Sequence, residues 1–242
     1  MSLAAIRNKP KVRAPICILY GASGVGKTSF VANIDKSIIV QTEDGIGKIE
    51  SDHFPVAKSW DEFMKNLESL RDEEHSYKCI GIDSLDWLEP LIWQKACDDN
   101  GWKSVDSVSF GKGYSEALKY WRQYTDLINE LRNKGMVIVQ VAHNQIQKVE
   151  DPRIEAYDRH TIKLHRKATD LLVEHADAVF FGAFKLGQVQ VKGKGGGMTT
   201  KAVSGDRVVY TQNNVAYLAK NRYGLPEELP MEWSAIREEM LK

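Results

Sequence analysis

The segments Ile16–Tyr20, Ile38–Gln41, Cys79–Asp83, Met136–Ala142 and Ala178–Phe181 are apolar at nearly every position, the pattern of strands buried on both faces of a sheet. Between them the period lengthens. Lys27–Ile34, Trp60–Arg71, Leu85–Cys97 and Tyr114–Lys134 place apolar residues three and four apart, as at Leu118, Trp121, Leu127 and Leu131, which predicts amphipathic helices. Such alternation builds an α/β domain with a mainly parallel sheet and helices on both faces, because parallel neighbours are joined by a helical crossover. After Phe181 the rhythm shifts to Val189–Val191, Arg207–Tyr210 and Val215–Leu218, separated by Gly-rich or Asn-Asn turns; these predict appended C-terminal antiparallel hairpins. Asp98–Gly113 and Asn144–Lys163 follow neither period and read as long loops, as does the basic, Gly-rich stretch Gly193–Thr200.

The pattern shows no internal repeat and reads as one domain over residues 1–242, with 1–14 an N-terminal extension and 229–242 a C-terminal tail. Composition narrows the class. Of 242 residues 43 % are hydrophobic, enough for a sizeable core, and 33 basic residues balance 33 acidic ones. No global field advertises nucleic acid or a membrane, so any polyanion site must be a local patch. Cys17, Cys79 and Cys97 are odd in number and lack metal-ligand spacing, which suggests a reducing cytosol and no disulfide frame. No apolar stretch approaches the length that spans a bilayer, so a cytoplasmic protein without a membrane partner is expected.

The most specific chemistry follows the first strand. Gly21-Ala22-Ser23-Gly24-Val25-Gly26-Lys27-Thr28 fits the phosphate-binding pattern G-x-x-x-x-G-K-[ST] at every fixed position, between a strand and a helix as the motif requires. Its glycines let successive backbone N–H groups turn inward around phosphates. Lys27 then reaches the β and γ phosphates, and the Thr28 hydroxyl suits a magnesium ion that keeps most of its waters. The expected ligand is a nucleoside triphosphate, ATP, with Mg²⁺. Asp83 ends a buried strand, where a carboxylate can hold Mg²⁺ or its waters; the alternative is a cap on the helix that starts at Leu85. Hydrolysis also needs a group to orient water. The residue after Asp83 is Ser84, so the candidate is Glu43, at the end of Ile38–Gln41, with Asp44, Asp86 and Glu89 behind it. Met136–Ala142 delivers His143, Asn144 and Gln145 to the same edge, and His143 leads as a sensor of the terminal phosphate.

Together these motifs resemble the RecA-type core, and among such proteins the compact phage ATPases of the Sak-four kind, associated with single-strand annealing. The resemblance runs from about Pro15 to about Glu228 and includes Ser109-Phe110-Gly111-Lys112-Gly113-Tyr114, the His143 strand end and Ala176-Asp177-Ala178-Val179. It implies that Glu43 is the catalytic carboxylate. It also implies that Lys220 and Arg222 are cations inserted into a neighbouring subunit's ATP site, which makes the protein a homo-oligomer. Single-stranded DNA would contact Asp98–Gly113 (Trp102, Lys103, Phe110, Lys112) and Asn144–Lys167 (Lys148, Arg153, Arg159, Lys163, Arg166, Lys167), where cations lie beside aromatic rings. The Lys192-Gly193-Lys194 tip with Lys201 is a further basic candidate, and a single-strand-binding protein is an expected partner. Glu150, Asp151, Glu155 and Asp158 interrupt the second loop, which leaves open an ATP-gated scaffold acting on proteins. A small-molecule kinase would need an Arg-rich lid, and none is evident.

Overall fold

A computed structural model describes residues 13–192 and 198–241. The strands are β1 (Ile16–Gly21), β2 (Ser37–Gln41), β3 (Asp52–His53), β4 (Cys79–Asp83), β5 (Val137–Val149), β6 (Tyr157–Ile162), β7 (Ala178–Lys192), β8 (Met198–Tyr210), β9 (Lys220–Asn221) and β10 (Glu228–Pro230). The helices are α1 (Lys27–Ala32), α2 (Trp60–Asp72), α3 (Leu85–Asn100), α4 (Lys112–Asn133), α5 (Arg166–His175) and α6 (Trp233–Met240). The sheet runs β10-β8-β7-β1-β5-β4-β2-β3. Its members from β7 to β3 are parallel, while β8 and β10 extend it antiparallel, as does β9 beside β7. This is the α/β fold, with a mainly parallel sheet, helices on both faces and appended antiparallel strands, that the pattern predicts.

The apolar strands are buried on both faces, each against its own helical layer. On one side Phe63, Leu88, Trp121, Tyr124 and Leu172 of α2, α3, α4 and α5 pack over Ile18, Ile80 and Ile138. On the other, Phe30 and Val31 of α1 and Ile236 of α6 cover Leu19, Ile39 and Val139. Each such large side chain contributes about 1.5–3 kcal/mol by leaving water.

Three expectations are corrected. Asn144–Lys163 is not a long loop: β5 continues through Val149 and pairs antiparallel with β6, Asn144 opposite Ile162 and Val149 opposite Tyr157. The extension is polar and half exposed, so it carries no apolar face to advertise a strand. Val215–Leu218 is not a strand; it contributes a single bridge, Tyr217 to His160, and Tyr217 joins an aromatic stack with Phe181 and Tyr210. The stretch expected as a C-terminal tail packs, in its described residues 229–241, on the sheet. β10 pairs with β8, Ile236 is fully buried and Trp233 meets Phe30 edge-on. Of Asp98–Gly113, the first three residues end α3 and the last two begin α4, with short 3₁₀ turns at Val105–Ser107 and Ser109–Gly111 between them. Gly193 and Lys194 of the basic tip, with the side chains of Lys192 and Lys201, lie outside the described residues, as does most of 1–14.

Candidate functional site

The P-loop hangs from the centre of the sheet. β1 is held between β5 and β7, with Gly21 level with His143 on one side and Gly182 on the other. A methyl group on Gly21 would fall 2.3 Å from the Gly182 carbonyl oxygen, so only glycine lets the strand end lie this close. Gly24 and Gly26 then take φ of 77° and 102°, values that side-chain-bearing residues avoid, and the chain turns into α1. Lys27 is buried, with its ammonium donating to the Gly21 and Ala22 carbonyls at 3.1 Å. Burial pulls its pKa down, while the charges of Asp83, Asp86 and Glu43 push it back up.

Asp83 reaches the loop from two strands away. The Thr28 hydroxyl donates to its Oδ2 at 2.7 Å. Ser84 is the N-cap residue of α3 and its side chain makes no capping bond, so Asp83 serves the P-loop and not the helix start. Burial raises the Asp83 carboxyl above its ordinary range, against the Thr28 hydrogen bond and the Lys27 charge. A hydroxyl and a buried carboxylate in contact fit a Mg²⁺ ion. Among the described residues no group of three or more His, Cys, Asp or Glu side chains could hold a metal, so phosphate and water oxygens would complete this coordination.

The end of β2 is locked to the end of β4 by one side chain. The Thr42 hydroxyl donates to the Ser84 carbonyl at 2.7 Å and accepts from the Ser84 N–H at 2.9 Å, while the Thr42 N–H donates to the Asp83 carbonyl at 2.7 Å. Glu43, next in sequence, is thereby aimed at the P-loop and lines a cleft of about 320 Å³ with Ser23, Lys27, Thr28, Asp83, His143 and Arg207. Burial raises the Glu43 pKa, partly offset by the Ser84 hydroxyl and the His143 ring. The competing carboxylates face elsewhere. Asp86 binds His143, Glu89 accepts the His165 N–H at 2.9 Å, and Asp44 is exposed outside the cleft.

Of the polar residues ending β5, His143 alone lines this cleft. Asn144 bonds the His160 ring, and Gln145 donates to the carbonyls of Ile162 and Leu164, which ties both into the β5–β6 hairpin.

A family model described as an AAA domain matches residues 13–223, nearly the whole of this architecture. The chain belongs to that family. It is therefore a P-loop ATPase domain. No curated protein matches the sequence significantly. Among solved structures it is similar to the flagellar accessory protein FlaH from Methanocaldococcus jannaschii, at 11 % identity and a TM-score of 0.38, covering 86 % of this chain and 87 % of that one. No helix among the described residues of this AAA domain is long and apolar enough to cross a membrane.

Lys220 and Arg222 do not approach the P-loop of their own chain. β9 pairs with Ala178 and Val179, at the start of β7, whereas Gly182 lies beside Gly21; Lys220 and Asn221 sit three and four strand residues below that level, about 10 and 13 Å. Lys220 donates to the carbonyls of Val173 and Glu174, and Arg222 meets Asp177 at 3.2 Å with its side chain about half exposed. The second segment expected to contact DNA packs on α4 just after the first: Tyr114 stacks on His165 at 4.1 Å and Lys167 donates to the Ser115 hydroxyl at 2.6 Å. Arg153 is paired with Asp151, and Arg159 is held by Asn213 and Tyr217. The sequence reading missed Arg207, which lines the cleft from β8. Its place beside the P-loop depends on β8 lying two strands from β1, a pairing that no local pattern specifies.

Proposed function

We propose that this domain hydrolyses ATP with Mg²⁺ and couples hydrolysis to binding of single-stranded DNA, as a homo-oligomer in phage recombination or repair. The carrying observation is the convergence of Lys27, Thr28, Asp83, Glu43 and His143 on one cleft. The P-loop and Lys27 bind and orient the triphosphate, Glu43 takes a proton from the attacking water, and His143 hydrogen-bonds the terminal phosphate. Magnesium, when bound, neutralises charge on the transferred phosphoryl group. Arg222 of a neighbouring subunit supplies a further cation to that group once subunits assemble.

DNA binding is supported by chemistry at the junction of the two segments. Phe110 is 98 % exposed on a left-handed backbone two residues before exposed Lys112, and Trp87, 51 % exposed, lines a groove with exposed Lys163. Exposed rings stack bases while cations meet phosphates. The test is the ATPase rate with and without an oligonucleotide, together with oligonucleotide anisotropy across a salt series. Stimulation, with affinity falling about 0.7 log units per phosphate contact per decade of salt, supports the reading. Phosphate release without detectable oligonucleotide binding replaces DNA by a protein partner and leaves the ATPase intact.

A further inference from the structure

We propose that Arg207 is a nucleotide-binding residue whose guanidinium grips the phosphate chain within the same subunit. The inference deepens the reading of the cleft as an ATP site and rests on it.

Arg207 stands on β8 directly opposite Phe184 of β7, the last regular pair before a register shift between Phe184 and Leu186. Such irregularities bend a strand and re-aim its side chains. The guanidinium carbon lies 5.8 Å from the centre of the Phe184 ring, so the ring supports the cation from one side. On the other side it reaches the P-loop. A methyl group built on Gly26 would fall 2.9 Å from Nη1 and 3.3 Å from Cζ, so the guanidinium lies against the loop at its left-handed glycine. Ser23, Gly24, Lys27, Thr28 and Ser29 line the same cleft.

The electrostatic setting separates Arg207 from the structural arginines. Arg132 and Arg222 are both held by Asp177, at 2.6 and 3.2 Å. Among the described residues the Arg207 side chain has no carboxylate partner and no hydrogen-bond acceptor. A guanidinium offers a rigid fork of donors matched to phosphate oxygens, and here that fork is unspent beside a loop built for phosphate. β8 thus supplies a second cation, remote from Lys27 in sequence, that responds to the same ligand charge.

The test compares binding of ATP, ADP and adenosine to the full chain by calorimetry, for wild type, Arg207→Gln and Arg207→Lys, with melting of each nucleotide-free protein as a control for folding. Gln removes charge and keeps much of the stem; one charge-assisted contact corresponds to an ATP affinity about 10- to 100-fold weaker, with partial recovery in the Lys variant. Adenosine binding should be unchanged. ATP affinity within twofold of wild type in folded Arg207→Gln overturns the proposal, as does an equal loss for adenosine, which would place the side chain on the base. A wild type that binds no ATP overturns the reading of the cleft itself, a separable outcome.

Discussion

The carboxylate of Asp86 holds His143 twice, its Oδ1 accepting the backbone N–H at 2.9 Å and its Oδ2 lying 3.0 Å from Nδ1. A carboxylate only accepts, so Nδ1 carries a proton and Nε2 is the nitrogen left for the cleft, where a second proton lets it donate to a phosphate oxygen. Lys163 Nζ lies 3.7 Å from the same Oδ2. Asp86 therefore joins the strand position beside the P-loop to the residue that follows β6, a short route between phosphate occupancy and the surface proposed for DNA. Asp86→Asn presents an amide whose NH₂ faces Nδ1, so both contacts survive only in the opposite imidazole tautomer. Turnover should drop about tenfold or more with ATP affinity nearly unchanged, as when the partner orienting a functional histidine is lost. Steady-state phosphate release beside equilibrium ATP binding checks this; an unaltered rate removes His143 from hydrolysis.

Glu43→Gln should bind ATP and fail to turn it over, with a rate about 10²- to 10⁴-fold lower, because the amide keeps the shape and cannot take a proton. A pH signature accompanies it. Burial raises the Glu43 pKa, and a base works only when deprotonated, so the wild-type rate should climb as pH rises through that elevated value and fall away below it. The rate profile and retention of labelled ATP on the variant are the measurements. A variant with normal turnover shifts the role to another group.

Much of this site was legible because its residues terminate apolar strands. Lys27 and Thr28 follow β1, Glu43 is the second residue after β2, Asp83 ends β4, and His143 marks where β5 leaves the core. In a parallel sheet all such ends share one edge, so a strand pattern alone gathers them. What stayed hidden depends on contacts across the sequence. The Thr42 clamp on Ser84 needs the register of β2 against β4, and Arg207 needs the neighbours of β8. The β5–β6 hairpin was misread as a loop because its exposed faces are polar, which removes the alternation that identifies strands.

Glu89 makes stability depend on pH. It is 5 % exposed and burial lifts its pKa from 4.5 to about 7, opposed by the His165 N–H. The folded chain then holds a proton that the unfolded chain releases, so stability is full below about pH 4.5 and declines as pH rises to about 7. The shift corresponds to an upper bound of about 3 kcal/mol. Glu89→Gln keeps an acceptor for His165 and cannot ionise. Denaturant unfolding between pH 5 and pH 8 should lose less stability in this variant than in wild type. Parallel declines would show that Glu89 is not the group responsible.

Arg222 lies too far from its own P-loop to serve it, so any role in hydrolysis must be played on a neighbour. Its structural cost is small: Arg132 also holds Asp177, and the Arg222 side chain is half exposed, so Arg222→Ala should cost no more than about 1 kcal/mol of stability. Its catalytic cost should be large, about 10³-fold or more, as for cations that stabilise phosphoryl transfer from a neighbouring chain. Lys27→Ala, by contrast, disables the P-loop of its own chain. Mixing the two dead variants should restore activity, because where Arg222→Ala supplies the P-loop and Lys27→Ala supplies the cation, both parts are intact. With random head-to-tail assembly about a quarter of the interfaces are competent. Specific activity of the wild type should rise with protein concentration over the range in which light scattering reports assembly. Dead mixtures, together with turnover independent of concentration, would make Arg222 a structural partner of Asp177 and leave the cation opposite Lys27 to be found elsewhere.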